Sequence, residues 1–371
     1  MSDDGEMAIR RPSATAAPLD DDDLLGQILL RLPPRPSSLP RAAAVCKRWR
    51  RVVSSPHFRR GFCGHHRKPP LLGFLAQEEH GDISFTPALD PPDRVPAERF
   101  SLPLDVGTEF LGCRHGRALS VDRLRHRFLV WDPVTGDQRC VGFPPALCVK
   151  EMRDFNGAVV CAAGDQGHVH GGCHLCPFQV VFIGRGKERM VACVYSSHTN
   201  AWGNLIAIPQ SPMPKVMFDL DRQSLAIIDP PQAAFDLDMF FFGGCQLMVA
   251  PVDGAYLGFL ILYGSTAQLW KRKINSNGGG VWVLRYTIEL TSLLSLDPWV
   301  DTPKLLGLAE DDNAMFLLMD DGDVFMVHLE SEQFEKLPEK MNRCFWRPFT
   351  SFYTAGMGIG GGHGVEIMHN A

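Results

Sequence analysis

Leu19-Asp20-Asp21-Asp22-Asp23-Leu24-Leu25-Gly26-Gln27-Ile28-Leu29-Leu30-Arg31-Leu32-Pro33-Pro34 sets Leu24, Leu25, Ile28, Leu29 and Leu32 at i, i+1, i+4, i+5 and i+8. That spacing describes one face of an α-helix. The run Asp20 to Asp23 supplies a capping oxygen and puts negative charge at the first turn, where unpaired N–H groups and the macrodipole favour it. Pro33 and Pro34 stop the helix, since proline has no N–H to donate and disfavours helical backbone in the residue before it.

The periodicity resumes after Ser37-Ser38, with Pro40 tolerated in a first turn. Over Arg41 to Val53, residues Val45, Cys46, Trp49, Val52 and Val53 share a face, while Lys47, Arg48, Arg50 and Arg51 fall mostly toward solvent. Ser54-Ser55-Pro56 marks the expected end. Two helices of this size cannot bury both stripes on each other, which predicts apolar surface left over for a partner.

Leu24-Leu25-x-x-Ile28-Leu29-x-x-Leu32-Pro33 followed by Ala43-Ala44-Val45-Cys46-Lys47-Arg48-Trp49-Arg50 resembles the F-box, the helical motif by which substrate receptors join SCF-type ubiquitin ligases through a Skp-family adaptor. The family usually begins with Leu-Pro, whereas here Pro18 precedes Leu19; the departure bears on the first adaptor contact rather than on the helix faces. The resemblance implies that Leu19, Leu24, Leu25, Ile28, Leu29, Leu32, Pro33, Val45, Cys46 and Trp49 make up the motif's core and adaptor surface, Trp49 mainly internal. It implies a Skp-family adaptor and, through it, a cullin scaffold as partners. The alternative is a two-helix cap packed wholly onto its own domain.

The chain has 371 residues and a net charge of −5, unevenly spread. Leu24 to Gln77 contains no Asp or Glu, yet eleven Lys or Arg lie between Arg31 and Lys68. Such a stretch could neutralise phosphates. No aromatic stacking platform interleaves these cations, so a solvated face is the preferred reading over a nucleic-acid surface. Eleven cysteines and a polar N-terminal stretch without an apolar leader segment are expected of reduced thiols in the cytoplasm or nucleus. The apolar run Tyr256 to Tyr263 is far shorter than the ~20 residues of a membrane helix and reads as a buried strand.

Working outward, residues 1–17 read as a disordered lead, 18–62 as the helical domain, 63–70 as a linker, 71–355 as a β domain and 356–371 as a Gly-rich flexible tail. Short apolar runs bounded by Gly, Pro, Asp and Asn favour strands: Leu71 to Leu75, Phe128 to Trp131, Ala158 to Cys161, Gln179 to Ile183 and Met190 to Tyr195. A unit of apolar strand, polar turn and short strand recurs at Val130 to Asp137, Val194 to Trp202, Met217 to Ser224 and Val327 to Phe334, with a looser copy from Trp270. Each reads as a hairpin, and their recurrence points to a mostly antiparallel β-propeller. Kelch-like blades of ~50 residues would number roughly six; a β-sandwich is the alternative. The overall class is thus α+β and multidomain. Trp131-Asp132-Pro133-Val134-Thr135-Gly136 and the stretch Gln268 to Leu284 also resemble the F-box-associated β-propeller-like domains of plants, which supports a receptor without naming its target.

Other constellations carry residues capable of chemistry. His168-Val169-His170-Gly171-Gly172-Cys173-His174-Leu175-Cys176 offers two histidines and a Cys-x-x-Cys that zinc could use, but a site would need four ligands converging tetrahedrally, with outer partners for the imidazoles. The preferred reading is a Gly-rich hairpin with incidental thiols and no metal. Gly356 to Gly362 lacks the Lys-Ser/Thr ending of a phosphate loop, Asp320-Asp321-Gly322-Asp323 reads as a turn, and Phe345 to Tyr353 reads as closing-blade packing. No nucleophile elbow is present. The expectation is a non-catalytic substrate receptor of a ubiquitin ligase, with no cofactor, no membrane association and an unidentified protein target. A nucleic-acid-binding regulator and a metal-dependent enzyme on a propeller scaffold are the alternatives.

Overall fold

The computed structural model describes residues 21–78, 81–145, 147, 152–164, 168–209, 215–220, 222, 224–231, 245–252, 256–274, 280–297, 301–309, 313–340 and 346–353. Leu19, the lead at 1–17 and the tail at 356–371 lie outside them.

Among the described residues four helices come first: α1 (Asp22–Leu30), α2 (Ser38–Val45), α3 (Lys47–Ser54) and α4 (Pro56–His66). Asp21 caps α1, its carboxylate accepting from the N–H groups of Asp23 and Leu24. The stretch read as one second helix breaks at Cys46, whose backbone is extended at φ −162° and ψ 170°. Its Sγ accepts from the Trp49 N–H and so caps α3. Ser55 caps α4 through the Phe58 N–H, with Pro56 in the first turn where its missing donor is harmless. The helix then runs through Phe62 to His66, into the stretch expected as linker.

Next come β1 (Leu71–Gln77), β2 (Ile83–Pro87), β3 (Thr108–Arg114), β4 (Arg117–Asp122), β5 (Arg127–Trp131), β6 (Gln138–Gly142), β7 (Asp154–Cys161), β8 (Phe178–Arg185), β9 (Arg189–Ser196), β10 (Ala201–Trp202) and β11 (Ile206–Pro209). They are followed by β12 (Lys215–Asp219), β13 (Ser224–Ile228), β14 (Cys245–Val252), β15 (Tyr256–Tyr263), β16 (Thr266–Ile274), β17 (Gly280–Glu289), β18 (Lys304–Ala309), β19 (Ala314–Leu318), β20 (Val324–His328), β21 (Phe334–Lys336) and β22 (Trp346–Thr350).

All pairings are antiparallel, and the sheets form a five-bladed β-propeller rather than a sandwich. Blade I is β3 to β6, blade II β7 to β11, blade III β14 to β17 and blade IV β18 to β21; the closing blade joins β22 to β1 and β2. The first strands β3, β7, β14, β18 and β22 all line one central cavity of about 560 Å³, through Cys113, Asn156, Met248, Leu308 and Arg347 among others.

Cores fill the spaces between blades. Phe128 and Val130 of blade I pack with Val180 and Phe182 of blade II; Leu260 and Leu269 of blade III pack with Met315 and Leu317 of blade IV. Phe74 meets Phe316 edge-on at 5.0 Å, joining the closing blade to blade IV. On its other face Phe349 and Leu75 pack with Ala118 and Trp131. Trp346, Phe349, Phe352 and Tyr353 are all buried, so the described part of the aromatic run is core.

The estimate of six blades is corrected to five. Blade spacing nearly doubles between Asp154, which opens β7, and Cys245, which opens β14. Part of that interval is the β12–β13 hairpin, which is no blade. Its Leu225 packs on Met190 and Ala192 of blade II, while Ile228 packs on Phe259 and Ile261 of blade III. The recurring sequence unit is a blade's outer hairpin in four places and this wedge in the fifth, so counting by length overshoots, while the five copies equal the five blades only because the wedge stands in for the closing blade, which carries no copy.

Candidate adaptor-docking site

Helix α1 has two apolar sides. Leu25 and Leu29 are 0% and 1% exposed and form a core with Leu39, Ala42, Val53, Phe58 and Phe62. Leu24 and Ile28, one turn apart, stand out at 38% and 39% exposed. Pro33 is exposed just beyond the helix, Leu32 is half-buried, and Trp49 is half-buried against the core. Val45, 61% exposed, and Cys46 are on the surface where α2 meets α3. The motif residues therefore divide into a buried set, Leu25 and Leu29, and an accessible set, Leu24, Ile28, Pro33, Val45 and Cys46.

The basic helix is less free than its sequence reads. Arg48 Nε donates to Asp22 Oδ1 at 2.7 Å and Arg51 Nη2 to Asp22 Oδ2 at 3.3 Å, tying α3 to the first turn of α1. The hydrogen bond from Arg48 holds the Asp22 carboxyl below its ordinary range. Arg50 Nε donates to the Ala43 carbonyl.

Among the described residues the helices join the propeller at two places. Arg35 Nη1 and the Ser37 N–H donate to the buried Asp93 carboxylate at 3.4 and 3.1 Å. Burial pushes that carboxyl up, but the hydrogen bonds from Ser37 and Arg35 outweigh it and hold the group below its ordinary value. The second place follows α4, where Pro69 is buried and the Pro70 carbonyl accepts from the Ser351 N–H.

The loop from His168 to Cys176 lies at this second junction. The Gly171 carbonyl accepts from Ser351 Oγ at 2.9 Å and from the Phe352 N–H at 3.0 Å. Gly171 has φ +95°, and a Cβ there would stand 2.5 Å from Pro69 Cβ, so only glycine fits. His174 Nδ1 lies 2.8 Å from Asp132 Oδ2. Asp320 to Asp323 form the β19–β20 turn, with Asp323 paired to Lys336 and Lys340.

Residues 22–64 match the F-box-like family, and the N-terminal helices are an F-box-like domain. No curated protein matches the chain. Among solved structures, the chain is similar to the PQQ-bound aldose sugar dehydrogenase of Streptomyces coelicolor at 10% identity, covering 69% of this chain and 90% of that one, with a TM-score of 0.33. It is similar to apo AztD of Citrobacter koseri at 11% identity, 74% and 88% coverage and a TM-score of 0.31. The Cps50 (Swd1) β-propeller domain of Myceliophteria thermophila follows at 8% identity, 74% and 72% coverage and a TM-score of 0.25. No helix among the described residues is long and apolar enough to cross a membrane.

Proposed function

We propose that this chain is the substrate-recognition subunit of an SCF-type ubiquitin ligase. Its F-box-like helices dock on a Skp-family adaptor, and through it on a cullin scaffold. The β-propeller presents its loops to a protein target, as in the plant F-box-associated receptors it resembles, in the cytoplasm or nucleus. Acceleration then comes from proximity: holding target lysines near a charged ubiquitin carrier raises their effective concentration, so this chain needs no nucleophile of its own.

The observation that carries the reading is the outward pair Leu24 and Ile28 set over the buried pair Leu25 and Leu29. An apolar stripe left on a helix whose other side already fills a core is the expected form of a protein-binding face. The nucleic-acid alternative loses ground because Arg48 and Arg51 are engaged by Asp22.

The deciding experiment uses purified full-length chain and a purified Skp-family adaptor. Leu24→Asp with Ile28→Asp is expected to weaken their complex by at least about a hundredfold, since each change buries a charge at the interface. The propeller's melting should stay unchanged. Undiminished binding by that variant would defeat the assignment.

A further inference from the structure

We propose that Cys161, His168, His170 and Cys173 form a four-coordinate zinc site that locks the β7–β8 loop against the junction of the F-box-like domain and the propeller. Their ligand atoms all lie within 4.8 Å of one another. His168 Nε2 is 3.4 Å from Cys161 Sγ and 3.3 Å from Cys173 Sγ, and His170 Nδ1 is 3.6 Å from Cys173 Sγ. Zinc bonds of about 2.3 Å to sulfur and 2.0–2.1 Å to nitrogen, arranged tetrahedrally, put neighbouring ligand atoms roughly 3.3–3.8 Å apart. These three separations fall in that range.

Hydrogen bonding alone accounts poorly for the cluster. A neutral imidazole nitrogen carries either a proton or a lone pair. His168 Nε2 can therefore serve one thiol well but not both, while a central cation takes a lone pair from all four ligands. Two thiolates and two neutral imidazoles also cancel the charge of a divalent ion, which suits a site whose Cys173 is 1% exposed. Thiolate with imidazole in a tetrahedral set favours zinc over the hard, oxygen-loving cations.

The protein holds these ligands in place from outside the cluster. Cys161 ends β7, and its N–H donates to His115 Nδ1 at 3.0 Å. The His115 ring stacks on His170 with centroids 3.7 Å apart and planes 9° from parallel. Arg117, buried in blade I, donates through Nη2 to the carbonyls of Cys173 at 2.6 Å and Cys176 at 2.8 Å, pinning the turn that carries Cys173. With all four positions taken by protein, no place is left for water or substrate, so the site is structural rather than catalytic. That removes the loop as the centre of a metal-dependent enzyme.

The test is elemental analysis of the purified full-length chain, followed by replacement of the metal with cobalt(II). Expected are roughly one zinc per chain and, after exchange, the visible bands of tetrahedral cobalt with a thiolate charge-transfer band. Cys161→Ser combined with Cys173→Ser should lower metal content at least about tenfold, whereas Cys176→Ser should leave it unchanged. A wild-type chain that carries no zinc and takes up no cobalt overturns the proposal. So does metal retained by the double variant or lost with Cys176→Ser. Should the double variant not fold, the wild-type content and cobalt spectrum decide alone.

Discussion

Leu24 and Leu25 are adjacent and chemically identical, yet a helix turns successive residues about 100° apart and gives them opposite work. Leu25→Ala should cost about 2–5 kcal/mol, because it leaves a cavity in a filled core. Leu24→Ala should stay within roughly 0.5 kcal/mol of wild type. Hydrogen exchange of α1 and α4 amides in the full chain distinguishes the two. For the same reason Leu25→Asp is a poor probe of docking: it would unfold the helices before it tested their surface. Asp93 is the other decisive residue, since its carboxylate joins the domains through Ser37 and Arg35. Its folded value lies below the unfolded value of about 3.9, so the stabilisation is fully present above that pH and is lost as pH falls through the depressed folded value. Asp93→Asn should loosen the junction by about 1–2 kcal/mol at neutral pH, read as faster exchange of the Ser37 amide. The difference from wild type should shrink once the medium is acid enough to protonate Asp93.

At the scale of elements, apolar runs bounded by turn residues were legible wherever one sheet face meets another blade. Leu71 to Leu75, Phe128 to Trp131, Gln179 to Ile183, Met190 to Tyr195 and Tyr256 to Tyr263 all fall inside strands. The break at Cys46 was not legible, because Ala42 to Val53 offers neither proline nor glycine, and the cap on α3 is a thiol rather than a hydroxyl or carboxylate. The link between Cys161 and the histidine loop is hidden in the sequence for a related reason. It reads as the last apolar residue of a strand, and only the return of the chain through β8 brings the loop back over it. The β12–β13 wedge reads as a blade hairpin because its local strand-turn-strand pattern is the same; what differs is that it packs on two blades at once. Ile228, 3% exposed, is its anchor on blade III. Ile228→Ala should cost about 2–4 kcal/mol and speed exchange in β15 and β16 before it affects blade I.

The propeller is a ring closed by chain ends, since β22 from the C-terminal side pairs with β1 just after the F-box-like helices. Closure removes the open edges that a fan of sheets would otherwise expose. The segment that follows β22 is the one that holds the histidine loop, through Ser351 Oγ and the Phe352 N–H on the Gly171 carbonyl, while Pro69 of the linker packs on the same glycine. Ring closure, domain junction and proposed metal site are thus one connected patch, and constraint of the loop should be felt by all three. Stripping the metal with a strong chelator is therefore expected to lower the melting temperature of the full chain. It should speed exchange first in residues 346–353 and β1, and raise proteolysis near residues 67–70, while β16 and β17 on the far side of the ring keep their protection. Uniform loosening of every blade would instead mean that the loop supports the fold as a whole and holds no special place in its closure.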